Sequence, residues 1–155
     1  MIVPDANLLL YAYDSTSRFH EPAATWWKDC LEGVEPVGLC AVVLFAFVRV
    51  GTSRKAFECP MTIEEAGLRV RSWLERPVTD FLITQEADFL LALHLLEIAG
   101  SGGNLTTDAQ IAAIAHRHRA TVHTADTDFN RFPDVRWLNP LLQKGGRLQR
   151  TQPES

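Results

Sequence analysis

The run from Asn104 to Phe129 constrains the fold more than any other part of the chain, because helical spacing gives way to a β-branched segment inside it and acids stand at both changes. Thr107 followed three residues later by Gln110 has the form of a capping box. Ile111, Ile114 and Ala115 then recur at helical spacing, so a helix is predicted to begin almost at Asp108. A carboxylate in the first turn of a helix meets backbone N–H groups and the positive dipole end, which favour the ionised, cation-binding form. Ala120 to Thr124 has the β-branched content of a short strand, with Asp126 and Asp128 directly past its C-terminal end. In open α/β sheets, ligands sit in the crevice at that end.

The N-terminus repeats the arrangement. Met1 to Pro4 is a short apolar run ending on Asp5, and Asn7 opens the helical segment Leu8 to Tyr13. Asp5 therefore stands at a strand-to-helix switch, and it can meet Asp126 if the two strands are neighbours. Further on, a helix starts at His20-Glu21-Pro22, carries Ala23, Trp26, Trp27, Cys30 and Leu31 on one stripe, and stops at Gly33. Two tryptophans at that spacing read as packing, not as a base-stacking platform. Val37 to Cys40 is a predicted strand, and the apolar run from Ala41 to Val48 a buried helix ending near Gly51. Arg49, Arg54 and Lys55 cluster at its exit. They are candidate contacts for phosphate, against the plainer alternative of a solvated helix end.

Thr62 and Glu65 form a second capping box for a helix with Ile63, Ala66, Val70, Trp73 and Leu74 inward, ended by Pro77. Phe81 to Ile83 is a predicted strand. A leucine-rich helix runs from about Glu86 to Ala99, with Gly100 as its stop. Phe129 and Phe132 read as core anchors and Val135 to Leu138 as a last strand. From Gln143 onward little can pack, so residues 143–155 are predicted to be a disordered tail and residues 1–142 a single domain.

Strands and helices alternate, which gives an α/β fold with a mainly parallel β-sheet flanked by α-helices. Hydrophobic residues make up 46% of the 155, enough for one core of ordinary size. The formal charge of -4 provides no global basic field, although carboxylates committed to a cation are neutralised by it. Cys30, Cys40 and Cys59 lack the spacing of a disulfide framework or a zinc motif. With no secretory leader or membrane-length apolar run in the sequence, a soluble cytoplasmic protein with no membrane association is expected.

Asp5, Asp108, Asp126 and also Asp128 are expected to converge at one edge of the sheet. Packed carboxylates repel one another, so such a cluster has raised pKa values or binds a hard cation. All-oxygen ligation selects Mg²⁺ or Mn²⁺, and with a phosphate substrate the chemistry is metal-assisted phosphodiester hydrolysis. Asp5, Asp108 and Asp126 are the candidate catalytic and metal-holding residues, with Asn7, Asp128 and Thr107 in support. The plainer alternative for each Asp alone is a helix cap or a turn. His20, His94, His116, His118 and His123 show no partner pattern, and His116 and His118 read as surface groups near a helix end.

These motifs resemble those of the PIN-domain ribonucleases, in particular the VapC-type toxins of bacterial toxin–antitoxin pairs. The matching pieces are Asp5-Ala-Asn7, Gly103-Asn-Leu-Thr-Thr-Asp108-Ala and Thr124-Ala-Asp126-Thr-Asp128-Phe129, extended by Phe132-Pro133 and Trp137-Leu-Asn-Pro140. The resemblance implies a PIN-like fold, a Mg²⁺ or Mn²⁺ site at Asp5, Asp108 and Asp126, and cleavage of RNA that arrests translation. It also implies neutralisation by a small cognate antitoxin, and a homodimer. One departure concerns Leu44-Phe45-Ala46-Phe47-Val48-Arg49, where Ala46 stands at the place of a family Glu. Ala46 reads as a subfamily trait more readily than as a lesion.

Two other readings stay open on sequence alone. A degenerate PIN domain that binds RNA or protein without cutting would suit Ala46. A haloacid-dehalogenase-like phosphatase also begins with an Asp after its first strand, but needs a second Asp where Asn7 stands.

Overall fold

The computed structural model describes residues 1–142; the tail expected to be disordered lies outside the described residues. Five parallel strands form one sheet, β1 (Ile2–Pro4), β2 (Val37–Cys40), β3 (Thr79–Leu82), β4 (Thr121–His123) and β5 (Trp137–Leu138), in the spatial order β3-β2-β1-β4-β5. Between them run α1 (Ala6–Tyr13), α2 (His20–Glu32), α3 (Ala41–Gly51), α4 (Ile63–Leu74), α5 (Glu86–Ala99) and α6 (Leu105–Arg117). Parallel strands need crossover connections, and the helices that make them cover the sheet; β1 and β2 are accordingly buried along their whole length.

The strand order reverses at β1. Chain growth runs outward through β2 and β3, then returns to place β4 on the other side of β1, with Ile2 beside Thr121 and Pro4 beside His123. The crevice of a doubly wound sheet lies at such a reversal, outside the carboxyl ends of the two strands. Asp5 and Asp126 follow those two ends.

An aromatic group cements α1, α2, α3 and α4 on one another. Trp73 is buried, stacks edge-on against Phe47 and Trp27, and donates its indole N–H to the Tyr13 hydroxyl at 3.0 Å. Trp27 is thus a packing residue, as its stripe implies. Phe129 and Phe132 are buried and meet edge to face.

Three expectations are corrected. Helix α6 starts at Leu105, not near Asp108, and Thr107 caps nothing. The turn begins earlier because Gly103 takes φ 57, a conformation costly for other residues, and the amides of Leu105 and Thr106 are satisfied by the carbonyls of Gly102 and Gly103. Gln110 instead donates to the Thr106 carbonyl. Helix α4 keeps its Thr62–Glu65 capping box, but Ile63 and Leu74 face outward and only Ala66 and Trp73 are buried, because the helix rests on the aromatic group along a narrow seam. Strand β3 spans Thr79–Leu82, which leaves Ile83 beyond its end and exposed. Among the described residues no helix is long and apolar enough to cross a membrane.

Candidate active site

Asp5 leaves the end of β1 in an extended conformation at the N-cap of α1, and its amide donates to the His123 carbonyl, prolonging the β1–β4 ladder by one rung. That rung turns its carboxylate toward the segment after β4. There the buried Thr124 hydroxyl donates to Asp5 Oδ2 at 2.8 Å and accepts from the Asp126 amide at 2.9 Å. Asn7, the second residue of α1, donates through Nδ2 to the same Asp5 oxygen and to Thr124 Oγ1, each at 3.3 Å. The Ala125 amide in turn donates to Asn7 Oδ1 at 3.4 Å. Asn7 therefore positions Asp5 through the segment that carries Asp126.

Asp126 caps the short 3₁₀ turn Thr127–Arg131, accepting from the Asp128 amide at 2.8 Å. The turn brings Asp128 round beside Asp126. Asp108, in the first turn of α6, joins them, and one carboxylate oxygen each from Asp108, Asp126 and Asp128 lies within 4.8 Å of the others. Asp108 and Asp126 are half-buried and Asp128 is exposed, so the group opens to solvent on one side.

The electrostatics follow from this crowding. Burial first, and then the charges of Asp5, Asp126 and Asp128, push the Asp108 carboxyl up to about 7. Asp5 is raised as well, by burial and by Asp126, against the lowering effect of its hydrogen bonds from Thr124 and the backbone. Carboxylates this close are at odds with one another unless a cation lies among them. The donor set is all oxygen, charged, and open on one side, which suits a hard divalent cation.

The other sequence candidates divide. Thr107 precedes Asp108 and lines a cavity with Arg49 of α3. Arg54 and Lys55 stand exposed on the turn after α3, outside that cavity. Ala46 is buried on α3 and offers no ligand atom. Thr124 is the residue that sequence reasoning passed over. Its signal was a hydroxyl residue at a strand end, two positions before an acid. His123 also has a partner that spacing did not reveal: it accepts from the Trp26 indole N–H at 3.0 Å, and burial pushes its pKa down to about 4.

Comparison with known proteins fits this architecture. The family model described as PIN domain matches residues 2–135. The chain belongs to the PIN-domain family. Among PIN-domain relatives, the Mycobacterium tuberculosis protein named Ribonuclease VapC33 is 40% identical over 143 residues, covering 92% of this chain and 100% of that one. Ribonuclease VapC37 from the same organism is 40% identical over 142 residues, covering 90% and 97%. Among solved structures, VapBC2 from Rickettsia felis, bound to a DNA fragment from their promoter, superposes with a TM-score of 0.64 at 21% identity over 90% of this chain and 98% of that chain. Mycobacterium tuberculosis VapC20 superposes with a TM-score of 0.63 at 16% identity, over 88% and 99%. At those identities the superpositions establish the PIN fold.

Proposed function

We propose that this PIN-domain protein is a metal-dependent endoribonuclease toxin, one half of a toxin–antitoxin pair, which hydrolyses phosphodiester bonds of tRNA or rRNA and thereby inhibits translation in the cytoplasm. The observation that carries the reading is the carboxylate group of Asp108, Asp126 and Asp128, with Asp5 held behind it, at the strand-order reversal. The relatives at 40% identity are named ribonucleases, and VapC20 is described as a toxin that cleaves the sarcin–ricin loop.

In this reading Asp5, Asp108 and Asp126 hold Mg²⁺ or Mn²⁺, and Asp128 completes the group on its open side. When bound, the cation supplies Lewis acidity toward the phosphate and lowers the pKa of an attacking water. The chain's own residues do the positioning. Thr124 and Asn7 fix Asp5 by hydrogen bonds, which orient its carboxylate for a cation. Arg49 offers a cation to the RNA backbone next to Thr107, and Arg54 and Lys55 extend that basic side along the substrate. With alanine at position 46, the acids named above carry the ligation without a contribution from α3.

The partners are an RNA substrate, a small cognate antitoxin and a second copy of the chain. The homodimer reading is favoured by exposed apolar side chains on the edge strand β3 and on α5, Phe81, Phe89, Leu90 and Leu93 among them.

The deciding experiment is cleavage of end-labelled total tRNA by purified protein in Mg²⁺ or Mn²⁺, beside a chelator control and Asp108→Asn. Discrete cuts abolished by both controls are expected. RNA binding without metal-dependent cutting would instead indicate a degenerate binding module, and turnover of small phosphoesters a phosphatase.

A further inference from the structure

The face of α3 that looks toward α6 is unusual for a helix this apolar. Val42, Phe45, Ala46 and Arg49 recur at i, i+3, i+4 and i+7, and together with Val48 and Thr107 they line an open cavity of about 420 Å³. Phe45 is 73% exposed, although it sits in a segment otherwise largely buried. Ala46, next to it, is small enough to leave the cavity free. Arg49 closes the row, and among the described residues it makes no ion pair or hydrogen bond through its side chain. Thr107 connects the cavity directly to Asp108.

We propose that this cavity is a nucleobase subsite, in which an unpaired base of the RNA stacks on the Phe45 ring while Arg49 takes the adjoining phosphate. The proposal rests on the ribonuclease reading above. The occupant follows from the chemistry of the lining. An aromatic face stacks a base of any identity, and a single-stranded segment is the form of RNA whose bases are free to do so. A cation beside that face neutralises a backbone that the nearby carboxylates repel, so charge complementarity selects a polyanion over an apolar peptide. The volume falls within the roughly 300–1,000 Å³ of small-molecule sites. Ala46 then has a positive consequence: the side-chain volume that a Glu would occupy is available to the base.

Stacking of this kind acts on the bound ground state and the transition state alike, so its loss raises KM and leaves kcat nearly unchanged. The test compares Phe45→Ala, Phe45→Leu and Phe45→Trp in cleavage of end-labelled total tRNA, and measures binding of the same tRNA to each variant in an Asp108→Asn background. Loss of the ring is expected to raise KM and the dissociation constant by about tenfold or more in both Phe45→Ala and Phe45→Leu, with Phe45→Trp at least as good as wild type. Equal binding by all three would overturn the subsite and leave the nuclease reading intact, as would a Phe45→Leu protein that binds normally, since apolar contact alone would then suffice. A Phe45→Ala protein that turns monomeric while wild type is dimeric, by light scattering, would assign the ring to a second copy and also overturn the proposal. If wild type neither binds nor cleaves tRNA, the nuclease reading falls and the subsite with it.

Discussion

The hydroxyl of Thr124 donates to the Asp5 carboxylate at 2.8 Å across 119 positions of sequence, and so couples the ends of the two central strands. Thr124 is wholly buried and touches Asp5, Asn7 and the Asp126 amide at once. Its replacement by valine keeps the shape but removes the donor that opposes the rise in the Asp5 pKa. Thr124→Val is expected to weaken the apparent Mg²⁺ affinity by about ten- to hundredfold, as the loss of a hydrogen bond that orients a metal ligand does elsewhere, and Thr124→Ser to retain most of it. Mg²⁺ titrations of RNA cleavage, with calorimetry on the same proteins, would decide. A Thr124→Val enzyme that titrates like wild type would mean the bond has no part in holding Asp5.

A pH dependence follows from Asp108. Its carboxyl titrates near 3.8 in an ordinary setting and near 7 in the folded protein, so between those values the folded state holds the extra proton and stability falls as pH rises. His123 works the other way, because its pKa drops from 6.5 to about 4, and its contribution grows as pH rises through that window. The two oppose each other below pH 6.5. Above it only the carboxylate effect remains. In chelator, melting temperature is therefore expected to decline from about pH 6.5 and to level off above about pH 7, with Asp108→Asn flattening the decline. Added Mg²⁺ should raise the melting temperature more at the alkaline end. Identical melts for wild type and Asp108→Asn across the range would remove the carboxylate from this account.

How much of this was legible in the sequence depended on whether the cause was local. The caps at Thr62 and Gly100, the Pro22 start and the Trp27 stripe are decided within one turn of chain, and the elements they mark appear where spacing places them. That β1 and β4 are neighbours stood only as a condition in the sequence, because pairing between strands more than a hundred residues apart leaves no local pattern, and the structure supplies it. The early start of α6 was hidden because Gly103 adopts a left-handed conformation that no side-chain pattern announces. Thr124 and the Trp26–His123 bond were hidden for another reason: each depends on partners from β1 or α2, about a hundred residues distant. The outward turn of Ile63 reflects packing on an aromatic group assembled from four helices, which periodicity along one helix does not contain.

Arg117 makes a further prediction possible. At the end of α6 its guanidinium grips Asp88 at 2.6 and 2.9 Å and also donates to the Ile83 carbonyl, while Asp88, only 2% exposed, accepts from the Gln85 amide. This clamp fixes the start of α5 against the helix whose other end carries Asp108. Arg117→Ala strands a buried carboxylate and is expected to cost about 3 kcal/mol in chemical denaturation. Asp88→Asn keeps an acceptor for Gln85 without the charge and should cost less. An Arg117→Ala loss no larger than that of Asp88→Asn would show that a stranded charge is not what the clamp prevents.

The last prediction concerns assembly. β3 is an edge strand, and Phe81 on it is 53% exposed; on α5 Phe89 is 59%, Leu90 57% and Leu93 43% exposed. On α5 the three recur at i, i+1 and i+4, which makes one apolar stripe with no partner in the described chain. A second copy meeting the same stripe would cover it through a two-fold axis, each residue serving both protomers, so a single charge is introduced twice per interface. Leu93→Glu is therefore expected to convert a dimer into a monomer by light scattering, while the melting temperature of the folded monomer stays within a few degrees because the position is solvent-facing. Mutation at Leu68, 67% exposed on α4, serves as the control for a solitary apolar residue. A wild-type protein that is monomeric at every concentration would remove the homodimer altogether, and a Leu93→Glu protein that remains dimeric would move the interface off this face.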